Sequence, residues 1–177
     1  MSVSVQEADF DVGAEIEALG AGTDHAGAVA SFVGLVRGES NGPPRSPARP
    51  AAPHGEADTL SERSGEGILA MTLEHYPGMT EDALADIVEQ ARRRWELLGV
   101  RVIHRVGRLL PGERIVFVAV SSSHRHDAFA ACEFIMDYLK TQAPFWKREE
   151  TRAGSRWVDA RESDDAALAR WRGATDT

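Results

Sequence analysis

Hydrophobic residues recur along this chain with two different periods, which predict alternating strands and helices. Residues 27–37 are β-branched and aromatic enough to pair in a sheet, and residues 68–75 form a second run of this kind. Between residues 83 and 98 the apolar positions return at helical spacing, with Thr80 as a candidate N-cap and Gly99 as a candidate terminator. The pattern therefore predicts two strands followed by a long amphipathic helix.

The second half of the chain repeats this change of period. The predicted strands lie at 100–110, 114–122, 145–150 and 156–160. The first two form a hairpin around Pro111 and Gly112, and a second helix follows, with Ser123 as its cap and Pro144 as its stop. Residues 10–20 are a weak helix candidate. This order of elements predicts an α+β sandwich with a largely antiparallel sheet.

Composition changes sharply between residues 38 and 67. This segment holds five of the chain's eight prolines, and Leu60 is its only large aliphatic residue. Because such a segment buries too little apolar surface to offset the entropy lost on ordering, we expect a mobile loop. The strand before it is too small to be a domain, so residues 1–177 are predicted to form one domain.

The composition also argues against several classes of protein. The formal net charge is −8, whereas general nucleic-acid binding needs a basic footprint. No apolar run reaches the roughly 18 residues needed to cross a bilayer, and the first residues lack the features of a secretory signal. We therefore expect a cytoplasmic protein that binds neither membrane nor nucleic acid. The single cysteine, Cys132, excludes a disulfide framework and is expected in the core.

Positive charge is concentrated between Lys140 and Arg148, a stretch without Asp or Glu. Lys140 lies where the second helix ends, and Lys147 lies just after Pro144, where a strand begins. Two ammonium groups on adjoining elements can converge on one substrate, and such a pair suits proton transfer or nucleophilic attack. The alternatives are structural: a solvated lysine at a helix C-terminus, and a lysine that protects an edge strand from aggregation.

Further cations mark the start of the second helix and the end of the first strand. His124 and Arg125 lie at a predicted helix N-terminus, where free N–H groups favour a phosphate. Arg37 lies at the mouth of the 38–67 segment, and loops that flank a site often carry function. The alternative for each is an ordinary solvated side chain. A further hypothesis is a hydrolase that recognises phosphate and uses His124.

Three polar residues in the strand patterns are interpreted as structural. They are Glu74, His75 and His104. Because no third ligand accompanies them at metal-like spacing, the sequence predicts no metal site, and no cofactor is expected.

Six stretches of the sequence match one known protein family. They are Gly34-Leu35-Val36-Arg37, Leu73-Glu74-His75-Tyr76-Pro77-Gly78-Met79, Ile103-His104-Arg105-Val106-Gly107, Ser123-His124-Arg125, Phe134-Ile135-Met136-Asp137-Tyr138-Leu139-Lys140-Thr141 and Ala143-Pro144-Phe145-Trp146-Lys147-Arg148-Glu149. On these stretches the chain resembles the large, catalytic subunit of molybdopterin synthase. The matches cover most of residues 27–162, and the last two are long and specific.

The resemblance implies a fold, a reaction and partners. The fold would be an α/β hammerhead-type two-layer sandwich with an additional small antiparallel subdomain. The reaction would insert two sulfurs into cyclic pyranopterin monophosphate to form the dithiolene of molybdopterin. The sulfur would arrive as a thiocarboxylate on the C-terminal Gly-Gly tail of a small ubiquitin-like subunit. Two large subunits would form a homodimer within a heterotetramer.

The resemblance also implies roles for particular residues. Lys140 would be central to catalysis and Lys147 would assist it. The residues that would line the substrate site are Leu35, Val36, Arg37, His124, Arg125, Lys140, Lys147, Arg148 and Glu149. The pair His124 and Arg125 would reach across the dimer. Two features depart from the family: relatives commonly carry a basic residue at the position of Leu35, and the 38–67 segment is longer and richer in proline than expected of relatives. These departures motivate a second hypothesis, a non-catalytic module that holds a ubiquitin-like tail or a phosphorylated ligand.

Overall fold

The computed structural model describes residues 2–21, 24–38, 67–158 and 170–171. The elements in this part of the chain are β1 (Val3–Gln6), α1 (Val12–Gly20), β2 (Ala28–Leu35), β3 (Ala70–His75), α2 (Met79–Arg94), β4 (Gly99–Arg105), β5 (Gly107–Leu109), β6 (Arg114–Ser122), α3 (Arg125–Gln142), β7 (Phe145–Thr151) and β8 (Gly154–Val158). The mobility predicted for 38–67 concerns residues that, apart from the two at its ends, lie outside the described ranges. None of the helices within those ranges combines the length and apolar content needed to span a bilayer.

The strands form two four-stranded sheets. Sheet A has the order β1-β4-β6-β2, and sheet B has the order β5-β3-β7-β8. Neighbouring strands are antiparallel in both sheets except for β1 and β4, which are parallel. The predicted α+β class with largely antiparallel pairing is therefore confirmed. The strand β1, which sequence reasoning did not predict, lies at the edge of sheet A.

Sheet A is covered by helices on both faces. Alternate residues of β4 and β6 point to opposite sides of the sheet, as the two-residue period of a strand requires. The residues packed toward α2 and α3 include Val100, Val102, Val116, Val118 and Val120. Those packed on the side of α1 include Ile103, Phe117 and Ala119. Burial on both faces explains why β6 is a nearly continuous apolar run.

Sheet B is covered differently. Its inner face buries a small apolar cluster, which consists of Val36, Met71, Leu73 and Leu109. Its outer face leaves Trp146 and Trp157 about half exposed, at 50% and 56%. The polar residues of β7 therefore lie in a sheet with one packed face and one open face.

The chain passes from sheet A to sheet B at Gly107. The single strand predicted over 100–110 is wrong, because β4 pairs with β6 in sheet A whereas β5 pairs with β3 in sheet B. Gly107 has a φ of 81°, a left-handed conformation that glycine adopts with little cost. The predicted hairpin is therefore confirmed only for β4 and β6.

The ends of α2 also differ from the predicted ones. The N-cap is Gly78, with a φ of 85°, and its N–H donates to Oε2 of Glu81 at 2.7 Å. Thr80 lies inside the helix, so its predicted role as N-cap is wrong. The helix ends at Arg94 and not near Gly99, because Trp95 is extended and packs edge-on against the ring of Phe134.

Candidate functional site

The end of α3 and the start of β7 form a corner that carries the two lysines singled out from the sequence. The helix ends two residues before Pro144, and the strand starts immediately after it. Proline explains the break, because it has no N–H to continue a helix and favours an extended residue before it. Lys140 lies exposed in the last turn of α3, and Lys147 is the third residue of β7. They are also the only lysines in the chain, a signal that sequence reasoning missed.

Lys147 lies on a central strand of sheet B, with β3 on one side and β8 on the other. The interpretation of Lys147 as an edge-strand lysine is therefore wrong. Its Nζ lies 3.5 Å from Oε1 of Glu149. Glu149 is buried, and Nη2 of Arg156 donates to its other carboxylate oxygen at 3.2 Å. The carboxylate is thus held between two cations and orients the ammonium group of Lys147.

Arg148 points to the opposite face of β7. Side chains alternate along a strand, and the guanidinium of Arg148 lies 5.7 Å from the ring centre of Trp157 on β8. Its Nε is buried and has no hydrogen-bond partner among the described residues. The structure therefore does not bring the side chain of Arg148 together with those of Lys147 and Glu149 within one copy.

The end of β2 lies beside the inner face of sheet B. Val36 is buried in the apolar cluster there, and both its backbone groups are hydrogen-bonded to the turn before β6. Leu35 and Arg37 on either side of it are exposed. Because Leu73 of the same cluster pairs in register with Lys147, the segment shares a face of sheet B with that lysine. Leu35 and Arg37 are thus the members of this segment whose side chains are open to a ligand.

The start of α3 carries the predicted pair of cations. His124 is the N-cap, so the predicted cap at Ser123 is wrong, and Arg125 is the first helical residue. No side chain caps this end, which leaves the first-turn N–H groups available to an anion. A cavity of about 570 Å³ adjoins the turn. Its lining consists of His124, Arg125, His126, Asp127 and Phe129.

The two groups of candidate residues lie far apart within one copy. Arg125 and Lys140 are at opposite ends of α3, and fifteen residues at the helical rise give about 22 Å. Along β2, Ala28 pairs with Ser122 next to the start of α3, whereas Leu35 lies about 23 Å further along the strand. The start of α3 therefore does not meet the lysine corner of its own copy.

Sequence reasoning missed how His104 supports this corner. Its ring is buried and stacks on Phe145, with centroids 3.7 Å apart and planes inclined by 17°. Burial lowers the pKa of His104 to about 4, although its hydrogen bond to the carbonyl of Arg105 acts in the opposite direction. The ring is therefore neutral near pH 7. A signal was present, because His104 shares its strand parity with the buried Val100 and Val102.

The single cysteine of the chain belongs to the core. Cys132 is buried on α3, and its Sγ lies 3.8 Å from the carbonyl oxygen of Val118. Burial raises the pKa of this thiol to about 11, so the predicted core role is confirmed. Within the ranges that the structure describes, no three side chains of His, Cys, Asp or Glu are grouped to hold a metal ion.

Similar proteins are found both by sequence and by structure. The MoaE protein family matches residues 57–142. The molybdopterin synthase catalytic subunit of Ralstonia nicotianae is 55% identical over 175 residues, which cover 99% of this chain and 86% of that protein. The molybdopterin synthase catalytic subunit of Vibrio cholerae is 50% identical, covering 96% of this chain and 97% of that protein. The solved structure of the molybdopterin biosynthesis MoaE protein from Burkholderia ambifaria MC40-6 has a TM-score of 0.72 and 51% identity, with 97% of both chains covered.

Proposed function

The chain belongs to the family of molybdopterin synthase catalytic subunits, and we propose that it transfers sulfur to cyclic pyranopterin monophosphate from a small ubiquitin-like partner. The donor is the thiocarboxylate at the partner's C-terminal Gly-Gly. In each transfer the sulfur forms a bond to a carbon of the precursor, and an oxygen from the precursor or from water takes its place on the acyl carbon, so the tail returns as a carboxylate. Two such transfers give the dithiolene of molybdopterin. The observation that carries the proposal is the corner between α3 and β7, which holds Lys140 and Lys147 on adjoining elements.

Lys140 is the principal catalytic group in this proposal. It is exposed at the end of α3, where both the partner's tail and the precursor can reach it. An amine at this position can polarise or trap the acyl carbonyl and move protons between the reacting groups. Lys147, whose ammonium is oriented by Glu149, assists by stabilising the negative charge that develops on the carbonyl oxygen.

We further propose that two copies of the chain complete each site. His124 and Arg125 of one copy bind the phosphate of a substrate held at the lysine corner of the other copy. The separations of about 22 Å along α3 and about 23 Å along β2 within one copy support this arrangement. Arg37, exposed near the inner face of sheet B, adds a phosphate contact from the same copy as the lysines. Two copies of the chain, with one small subunit bound at each of the two sites, would form a heterotetramer.

The catalytic proposal is tested by supplying the thiocarboxylated partner and the cyclic precursor to wild-type protein and to Lys140→Ala. Mass spectrometry quantifies molybdopterin and the carboxylate form of the tail. We expect Lys140→Ala to lose activity by roughly 10²–10⁴-fold, the usual contribution of a proton-transfer group. Arg152→Ala, which removes an exposed cation at the β7–β8 turn, should keep the wild-type rate. A wild-type rate in folded Lys140→Ala would contradict the proposal.

The two-copy site is tested by mixing two inactive variants. In a mixed dimer of Arg125→Ala and Lys140→Ala, one site contains an intact Arg125 from one copy and an intact Lys140 from the other. Random pairing makes half of the dimers mixed, so activity should recover to about a quarter of the wild-type value. If each copy used its own Arg125 and Lys140, mixing would restore nothing.

A further inference from the structure

Thr80 is a polar residue in a fully buried position close to the corner. It lies in the first turn of α2, and none of its surface is exposed. Its Oγ1 accepts a hydrogen bond from the N–H of Tyr76 at 3.2 Å and donates one to the carbonyl oxygen of Pro144 at 3.3 Å. One hydroxyl thus connects the turn before α2 to the residue between α3 and β7.

The carbonyl of Pro144 is the part of the corner that Thr80 contacts. The backbone on either side of Pro144 is also constrained. The N–H of Ala143 donates to the carbonyl of Leu139, and the N–H of Phe145 donates to the carbonyl of Ala143. Pro144 therefore lies between the last turn of the helix that carries Lys140 and the first residues of the strand that carries Lys147. A displacement of its peptide changes the position of one lysine relative to the other.

Position 80 needs a small side chain that both donates and accepts a hydrogen bond. Threonine and serine meet this requirement, whereas valine has the shape of threonine without the hydroxyl. In a Thr80→Val variant the N–H of Tyr76 and the carbonyl of Pro144 lose this partner at nearly constant volume. Both hydrogen bonds are partly buried, so losing them is costly, and the corner is expected to shift toward other partners.

We propose that Thr80 is a positioning residue that sets the geometry of Lys140 relative to Lys147 through the carbonyl of Pro144. The inference rests on the proposed function, in which these lysines perform the chemistry. It adds a residue that touches no substrate and acts only through the corner. Misplacement of a reacting group by about 1 Å can cost roughly 10²-fold in rate, so a small shift of Pro144 is enough to matter.

The kinetic test compares Thr80→Val with Thr80→Ser and with Thr72→Val. Thr72 lies on β3 and faces the outer side of sheet B opposite Arg148, so it controls for the substitution itself. We expect Thr80→Val to lower kcat at least about tenfold, with KM for the precursor changed less than about twofold. Thr80→Ser, which keeps the hydroxyl, should restore kcat, and Thr72→Val should leave it at the wild-type value.

A second readout does not depend on activity. Because Lys140 and Lys147 are the only lysines, reductive methylation with ¹³C-formaldehyde gives one NMR signal for each side chain, apart from the N-terminal amine. We expect Thr80→Val to move at least one of the two lysine signals. Thr80→Ser and Thr72→Val should leave both signals at their wild-type positions.

The outcomes separate this inference from the proposed function. If wild-type protein makes no molybdopterin, the proposed function fails, whereas the lysine signals still test the positioning role. If Thr80→Val loses only stability and keeps the wild-type kcat and lysine signals, the inference is overturned. Should Thr80→Val not fold, Thr80→Ala is assayed in its place, and it should show the same loss of kcat. Failure of both variants to fold would make Thr80 a residue of folding and would also overturn the inference.

Discussion

In the described part of the chain, sheet A and sheet B contain the same number of strands, but helices cover both faces of sheet A whereas sheet B is packed on one face only. Sheet A has α2 and α3 on one face and α1 on the other, and the side chains of Val102, Phe117 and Val118 are fully buried. Sheet B packs one face and exposes tryptophans on the other. The charged residues of β7 are found in the second kind of sheet, where a charge can keep a partner without losing contact with a ligand.

This difference separates the part of the molecule that gives structural support from the part that carries the candidate site. A charge placed at Val102, Phe117 or Val118 in the interior of sheet A would be buried without a partner, which is strongly unfavourable. In sheet B the buried Glu149 is paired with Lys147 and Arg156, both of which keep part of their surface exposed. Substitutions in sheet A should therefore change stability, whereas substitutions on the inner face of sheet B should change activity.

The largest effect is expected in the core of sheet A. Phe117 is fully buried on the α1 side, with its ring centroid 5.7 Å from that of Phe10. Phe117→Ala should lower the free energy of unfolding by about 3–5 kcal/mol, measured by urea denaturation, because it leaves a cavity. Phe129→Ala, at a side chain that is 68% exposed, should change stability far less. A large loss of kcat in the fraction of Phe117→Ala that remains folded would contradict the division between the sheets.

The next effect is a dependence of stability on pH that comes from His104, where the two sheets meet. Unfolded His104 binds a proton below its ordinary pKa of 6.5, whereas the buried ring binds one only near 4. The unfolded state therefore holds more protons in this window, so stability is complete above pH 6.5 and is lost as the pH falls toward 4. The difference between these two pKa values corresponds to roughly 3 kcal/mol in the free energy of unfolding.

The measurement is urea unfolding of wild-type protein and His104→Phe at several pH values between about 4 and 7.5, which span the two pKa values of this ring. The phenyl ring keeps an aromatic surface for stacking on Phe145 but cannot be protonated. We expect the variant to lose much of the rise in stability with pH. Equal slopes in the two proteins would show that another group is responsible.

The sequence predicted the order helix, proline, strand around Pro144 because local chemistry decides it. Proline ends a helix wherever it stands, and the β-branched and aromatic runs of β2 and β6 favour strands in any context. The alternation of side chains along β7 likewise places Lys147 and Arg148 on opposite faces, whichever strands pair with it. Local rules thus placed each candidate residue on its element, and nearly all element types were confirmed.

The parts that could not be predicted depend on contacts between distant segments. The switch at Gly107 moves β5 into a second sheet, and no local pattern says which strand it will pair with. Thr80 has the residue type of an N-cap, yet the positive φ of Gly78 starts the helix earlier and leaves the threonine hydroxyl to Pro144, 64 residues away. The distance between the start of α3 and the lysine corner likewise follows from the tertiary arrangement.

A smaller effect on stability, with a specific effect on activity, is expected at Glu149. In Glu149→Gln the two flanking cations lose their carboxylate, and we expect stability to fall by about 1–2 kcal/mol, since Lys147 and Arg156 are partly solvated. Loss of the group that orients Lys147 should reduce kcat about tenfold. The control is Glu150→Gln, the adjacent residue on the outer face, which pairs with Arg108 and should keep wild-type kcat. Equal losses of kcat in the two variants would remove the distinction between the faces of sheet B.

The smallest effect is expected at the ion pair that holds α1 on sheet A. Nε of Arg101 donates to a carboxylate oxygen of Glu15 at 2.8 Å, and both side chains are about one-fifth exposed. Because water and salt screen such a pair, Glu15→Gln should lower the free energy of unfolding by less than about 1 kcal/mol, and the loss should shrink at high ionic strength. The same exchange of carboxylate for amide at Glu149 should alter catalysis, whereas at Glu15 it should leave kcat and KM unchanged. Urea unfolding at two salt concentrations, combined with steady-state kinetics, measures both quantities, and a drop in kcat for Glu15→Gln would mean that sheet A takes part in the chemistry.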